Sequence, residues 1–478
     1  MGTTRVVVIG AGPGGYVAAV RAAQLGADVT IIEKENVGGT CLNWGCIPSK
    51  ILISTAEMIG RLSHSESFGI RLEGRVTPDM PQVMARKEAI LQVQRKGIQG
   101  LLQQNRIRYI LGNARIQGQG ALLAEPVDDE PITVPWDRLI VAAGTQPMSI
   151  PSLSFDGERV ISSNDALCLN HVPESIVIVG GGVIGCEFAC LLSNLGSNVT
   201  VVEALDRLLP LPSIDAECSK ILQREMKKKK INVMVNKTVA GVKFIDGKIE
   251  AAVEPSPFLE NPTEKDRRVI KVMVDKVLVC IGRKPNSDDL GLETIGVTVD
   301  PRGWVMADDS MRTSADNVYA IGDILGPPKI MLAHVASAEG EVAAENAMGQ
   351  SKRMAYTAVP SAIFTAPEVA DAGLTEAQAM EQDLDCRVDS VMFRSLGKSH
   401  VIGEIAGQAK IVSDSQTGRI VGVHIIGAHA TELIAEATLA IRMEATVGDL
   451  AATIHAHPTL AEIMAETAFK ALGRPVHG

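Results

Sequence analysis

Aromatic residues are scarce, 3% of the 478. That is too few for the stacking platforms that hold single strands of nucleic acid. Positive charge is in the minority: 46 Lys and Arg face 56 Asp and Glu, for a net charge of −10. A surface of that sign repels phosphate backbones, so no nucleic-acid partner is expected. No run reaches the roughly 18 apolar residues that a membrane-spanning helix needs, so no membrane segment is expected either. Cysteine is sparse, eight in all, and none follows Cys386. Such usage excludes a secreted disulfide scaffold and suits a reducing, cytoplasmic compartment, where a disulfide would serve chemistry.

Length and glycine are plentiful. At about 150 residues per domain the chain suggests three domains. The 44 glycines and 23 prolines suit a fold with many tight turns. The stretch Arg5 to Ala19 resembles a signal peptide only superficially. Gly10, Gly12, Pro13, Gly14 and Gly15 interrupt it, and it reads as strand, turn and helix.

That reading recurs at an offset of 170 residues. Gly10, Gly12 and Gly15 form one G-x-G-x-x-G, and Gly180, Gly182 and Gly185 form another. Val6 to Ile9 precedes the first and Ile176 to Val179 the second. Each is followed by a helix-like stretch ending in Leu-Gly, then by a strand ending in an acid, Glu33 or Glu203. The first glycine makes the strand-to-helix turn, the second lets backbone approach a pyrophosphate, and the third lets helix pack on strand. The acid accepts hydrogen bonds from ribose hydroxyls. Two such copies predict two dinucleotide sites in an α/β chain. Glu203 would repel a ribose 2′-phosphate, so the second site should prefer NAD. Arg207 lies nearby and is read as a surface charge, as is the run Lys227 to Lys230.

Past the first unit stands Gly38-Gly39-Thr40-Cys41-Leu42-Asn43-Trp44-Gly45-Cys46-Ile47-Pro48-Ser49-Lys50. The C-x4-C spacing lacks the second ligand pair of a zinc site. In an ideal helix its ends rise ~7.5 Å apart, while a disulfide needs Cα atoms within roughly 7 Å. An undistorted helix would not close the pair, and Gly45 and Pro48 give a reason for irregular backbone. Two buried structural cysteines are the alternative. If the segment is helical, Lys50 shares a face with Cys46 and stabilises a thiolate. Near the C-terminus, His455 and His457 precede Pro458, and no further metal ligands are evident. Pro458 to Leu472 reads as a helix that His457 would start, with Glu462 within reach.

Together these segments resemble the class I pyridine nucleotide–disulfide oxidoreductases, in the pattern of their dihydrolipoyl dehydrogenase branch, over essentially the whole chain. Further landmarks are Leu139 to Thr145 with Gly144, Val277 to Asn286 with Gly282, and Asn317 to Asp323. The resemblance implies FAD at the first unit, with Asp323 on its ribityl chain and Lys50 beside it, and NAD at the second. It implies a flavin domain split over 1–150 and 275–349, an NAD domain at 151–274 and an α+β dimerisation domain at 350–478. It implies a redox-active disulfide in which Cys41 exchanges with the substrate and Cys46 faces the flavin. His457 would be the base, Glu462 its orienting partner and His455 a structural neighbour, with no metal. The implied activity is reoxidation of protein-bound dihydrolipoyl groups by NAD⁺. The implied partners are a second copy and the lipoyl carriers of 2-oxoacid dehydrogenase or glycine cleavage systems, or stand-alone lipoyl proteins. Trp44, Ala461 and Lys284 depart from the usual pattern. Mercuric reductases carry a C-terminal cysteine pair that is absent here, and glutathione reductases lack an acid at the Glu203 position.

Overall fold

The computed structural model describes residues 2–478 except 75, 261, 265 and 266. Met1, first residue of the expected flavin segment, lies outside the described residues. The chain forms two compact units: Met1–Leu52 with Asp79–Met148 and Gly282–Ala355, and Ile53–Pro78 with Ser149–Ile281 and Tyr356–Gly478.

The first unit is built on a seven-stranded sheet. Arg5–Ile9 lies between Asp28–Glu33 and Arg138–Val141, all parallel. Val318–Ala320 adds to one side of this core, and Arg108–Gly118 to the other. Val6, Val7 and Val8 are at most 1% exposed, as β-branched runs covered on both faces should be. The helices Pro13–Gln24 and Ala333–Ala347 pack backbone to backbone. A Cβ at Gly340 would fall 2.5 Å from the Gly14 carbonyl oxygen, so only glycine permits this approach.

The second unit holds the repeat of that frame. Ser175–Val179, Asn198–Val202, Asn232–Met234, Lys276–Val279 and Val160–Ile161 form a parallel sheet. An antiparallel ribbon, Lys237–Ile245, Lys248–Pro255 and Ile270–Val274, accompanies it. The expected return to the flavin segment at 275 moves to 282, because Lys276–Val279 is the inner partner of Ser175–Val179. Residues 53–78 also leave the expected first segment for the second unit.

The C-terminal residues form a five-stranded antiparallel sheet, ordered Pro360–Ile363, Glu368–Gly373, Ile420–Gly427, Gln408–Asp414 and Cys386–Met392. The helices Ala430–Arg442 and Glu462–Ala471 cover it. This sheet joins the parallel one in a single unit rather than standing apart from it. The Phe364 N–H donates to Glu187 at 2.9 Å, and buried Lys410 meets buried Asp215 at 3.0 Å. One polar row, Ser361, Asp371, His424, Lys410 and Ser390, crosses all five strands in register.

Candidate active site

The two glycine turns have the same geometry. Gly10 and Gly180 adopt φ of 97° and 103°, and a Cβ there would fall 2.3 and 2.4 Å from the carbonyl oxygens of Ala142 and Cys280. A Cβ on Gly15 or Gly185 would lie 1.9 Å from the Gly10 or Gly180 oxygen. The middle glycines differ from these. A Cβ on Gly12 would meet only the Gly39 Cα, at 3.9 Å, and one on Gly182 would meet nothing within 4 Å. Both helices begin there without a side-chain cap, so no side chain of the cap residue occupies their N-terminal ends.

The acids repeat too. Glu33 accepts from the N–H of Ala11 at 2.7 Å and of Glu35 at 2.9 Å. Glu203 accepts from Gly181 at 2.5 Å and Leu205 at 2.8 Å. Burial raises the Glu33 pKa, and the two N–H bonds partly oppose it. Each carboxylate oxygen retains acceptor capacity for a ribose hydroxyl. Open glycine, uncapped helix and anchored acid fit a dinucleotide at both turns. Arg207, expected as a surface charge, is half-buried and tied to its own loop. Its guanidinium donates to the carbonyls of Ile214 and Leu211 and to Ser219 Oγ. Lys227 to Lys230 are exposed at a helix end.

The cysteines flank a helix break. Gly39–Trp44 ends at Gly45, with φ −150° and ψ −111°, and Cys46–Leu62 begins at once. The two side chains hydrogen-bond, and no disulfide joins them in this structure. The Cys41 thiol is pushed up, first by its bond to Cys46 and then by burial, with the Lys50 charge opposing. Lys50 lies one turn beyond Cys46 on its helix.

Asp323 sits in the short 3₁₀ turn Gly322–Leu325 after Val318–Ala320. Burial raises its pKa; the Arg283 charge and a hydrogen bond from Thr145 Oγ1 at 3.2 Å oppose. Gly144 and Gly282, both with positive φ, lead into the ribbon Thr145–Pro147 and Arg283–Pro285. Their carbonyls accept from Asn286 and Met148.

His457 Nδ1 lies 2.8 Å from Glu462 Oε1, and its side chain is 78% exposed. Burial would raise the Glu462 pKa, but His457 and the Thr459 N–H hold it below the ordinary value. The expected helix start at Pro458 is incorrect, and Glu462 is its first residue. The Thr459 N–H donates to the Glu462 carboxylate at 2.9 Å, and the chain from His457 to Ala461 is non-helical. His455 is a buried neighbour, bonded to Glu436 and to the Thr453 carbonyl. Among the described residues no group of three or more His, Cys, Asp or Glu is arranged for a metal ion. Among them, too, no helix is long and apolar enough to cross a membrane.

Two residues around these groups, Arg283 and Asn43, were not singled out by sequence, and Trp44, noted there as a departure, finds its partner here. Arg283 donates to the Thr145 hydroxyl at 2.7 Å and lies in the fields of both Asp323 and Cys46. Asn43 donates to the carbonyls of Val37 and Gly39 and accepts from Arg95 at 2.6 Å. Trp44 donates to Glu35 at 3.0 Å. Asn43 and Trp44 lie inside the cysteine motif, but their partners carry no local signal.

Residues 4–340 match the family described as pyridine nucleotide-disulphide oxidoreductase, and residues 359–468 match its dimerisation domain. The chain is 41% identical to a dihydrolipoyl dehydrogenase of Chlamydia trachomatis, over 98% of this chain and 97% of that one. It is 39% identical to one of Geobacillus stearothermophilus, over 99% and 97%. The crystal structure of LpdA from Mycobacterium tuberculosis superposes with a TM-score of 0.89 at 27% identity, covering 98% of this chain and all of that one.

Proposed function

The chain belongs to the pyridine nucleotide-disulphide oxidoreductase family, and from that premise we propose that it reoxidises protein-bound dihydrolipoyl groups with NAD⁺. The observation that carries this reading is the Cys41–Cys46 pair, set on the two helices that meet at the Gly45 break in the same unit as the first glycine turn. Gly10, Gly12, Gly15 and Glu33 hold FAD, with Asp323 and Lys50 contributing. Gly180, Gly182, Gly185 and Glu203 hold NAD. Bound FAD supplies the two-electron relay between the thiols and NAD⁺.

The protein's own residues handle sulfur and protons. In the oxidised enzyme Cys41 and Cys46 form a disulfide. His457 removes a proton from one substrate thiol, and the thiolate attacks Cys41 sulfur, releasing Cys46 as a thiolate. The second substrate thiol then displaces Cys41, closing the lipoyl disulfide and leaving two reduced cysteines. Lys50 favours the anionic sulfur, and Glu462 holds the His457 tautomer and steadies its charged form. We assign the His457–Glu462 pair of a second copy to each cysteine pair. Supporting a homodimer are the dimerisation-domain match and three exposed apolar side chains, Leu439, Met443 and Ile454, at 63%, 70% and 97%. The reducing compartment is the cytoplasm, and the partners are lipoyl carriers.

The test mixes Cys46→Ser and His457→Ala proteins under conditions that exchange subunits. Each alone should lose dihydrolipoamide:NAD⁺ turnover, His457→Ala by roughly 10²–10⁴-fold. The mixed dimer should regain one intact site. No recovery after demonstrated exchange defeats the shared site, and turnover by Cys46→Ser alone defeats the sulfur assignment.

A further inference from the structure

Lysine is rarely buried without partners. Lys410, on Gln408–Asp414 of the C-terminal sheet, is 5% exposed. Its ammonium donates to both Asp215 oxygens, at 3.1 and 3.0 Å, and pairs with Glu217 at 2.9 Å and Glu376 at 3.6 Å. Asp215 is also the N-cap of Ala216–Lys228, accepting from the Glu217 N–H at 2.9 Å. Lys410 therefore fixes the start of a helix that follows the second dinucleotide strand.

The loop between that strand and the helix, residues 203–215, lies on the second glycine turn. The Leu209 N–H donates to the Gly181 carbonyl at 2.8 Å. A Cβ on Gly181 would fall 2.7 Å from Leu208 Cδ2. Arg207 ties the loop to itself and to Ser219, and Ser219 Oγ donates to the Leu208 carbonyl at 2.6 Å. Leu209 adopts φ of 48°, a left-handed conformation that leucine keeps only where its surroundings impose it. At its start the loop is bound by the Leu205 N–H to Glu203, the acid proposed to take the ribose. Hydrogen bonds and packing thus connect Lys410 through Asp215 and the loop to Gly181 and Glu203. All of these residues lie within one unit.

We propose that Lys410 is a positioning residue for NAD(H): by anchoring Asp215 it holds loop 203–215 on the glycine turn and so sets dinucleotide affinity without touching the dinucleotide. This rests on the second turn being the NAD site. The test measures NADH binding by calorimetry to the flavin-loaded protein after full anaerobic reduction, so that NADH has no oxidised centre to reduce, alongside anaerobic bleaching of the oxidised protein's visible absorbance by dihydrolipoamide. Lys410→Met should weaken NADH binding on the order of fivefold. Flavin content and the bleaching rate should stay as in wild type, which a general loosening of the fold would not allow. Lys410→Arg should restore the affinity. In a double-mutant cycle, Lys410→Met and Asp215→Asn should be non-additive. If the lone Lys410→Met leaves a buried acid that prevents folding, the Lys410→Met/Asp215→Asn protein removes both charges together and carries the same expectation. A wild type that fails to bind NADH overturns the NAD reading, and this proposal with it. A wild type that binds, with folded variants that bind equally well, overturns the role of Lys410 alone.

Discussion

The two glycine turns agree down to the pair of N–H donors on each acid, and they diverge immediately after it. Beyond Glu33, Glu35 takes the Trp44 indole, Asn43 gathers the carbonyls of Val37 and Gly39, and the chain runs into the cysteine helix. Gly39 packs so closely on the middle glycine that its Cβ would lie 2.6 Å from the Gly12 Cα. Beyond Glu203, the chain folds back onto Gly181 and is locked there by Arg207. One frame therefore runs on into the cysteine pair, and the other into a fitted cover. If the glycines and the acid hold a dinucleotide, as proposed, the next ten or so residues decide what else stands beside it.

The strongest way to break this comparison is to fill the glycines. Gly185→Ala forces a Cβ into the Gly180 carbonyl, and should destabilise the protein by roughly 1–3 kcal/mol and abolish NADH binding. Gly182→Ala meets no atom within 4 Å, so its apo melting curve should match wild type while NADH binding falls about tenfold, ~1.4 kcal/mol. Thermal melts and calorimetry distinguish the two. Wild-type NADH affinity in Gly182→Ala would place the pyrophosphate elsewhere.

A milder change tests the acid. Glu203→Arg should shift preference from NAD(H) toward NADP(H), because it replaces the charge that repels a 2′-phosphate. Equal kcat/KM for both cofactors in the wild type refutes the assignment.

The smallest effect concerns pH. Burial raises the Glu33 pKa, so on acidification it takes up its proton earlier than an ordinary glutamate. FAD affinity of the apoprotein should fall as pH drops toward that point, and Glu33→Gln should bind weakly with no such slope. For folding the sign is opposite. A carboxyl that holds its proton more tightly when folded contributes most below the unfolded pKa, and that contribution fades as pH rises through the folded value. Flavin titrations from pH 7 to pH 4 check the first effect, and urea melts the second.

Much of this was legible because it is local. Glycine spacing, β-branched runs and a terminal acid fix a strand–turn–helix–strand unit through backbone sterics alone, and Gly45 marked the break between the cysteines. The helix start was misplaced at Pro458 because proline suits a first helical position, whereas the helix begins at Glu462, whose carboxylate binds back to His457 and the Thr459 N–H. Arg283, Arg95 and Lys410 escaped notice for a related reason. Each acts on residues 52 to 195 positions distant, and nothing in its own neighbourhood distinguishes it from a surface cation. The compact units divide at 282, not at 275, because Lys276–Val279, a run that reads equally well as the last strand of one sheet or the first of the next, pairs with Ser175–Val179.

The order of synthesis gives the seven-stranded sheet and its twice-covered glycine turn a further meaning. Val318–Ala320 belongs to that sheet, and Gly340 closes against Gly14. The first unit to be translated is therefore among the last to be finished. The parallel sheet that begins at Val160 has all its strands once Val279 has left the ribosome. Until Val318–Ala320 and the helix Ala333–Ala347 are made, Arg138–Val141 lacks its outer neighbour and Pro13–Gln24 its packed partner, an unfinished surface open to other chains and to chaperones. Protease protection of ribosome-stalled chains should appear in the 160–279 segment first, and in the N-terminal segment only after residue 347 has emerged. Protection of the N-terminus in a chain stalled near residue 200 would show that the first frame closes without its distant half.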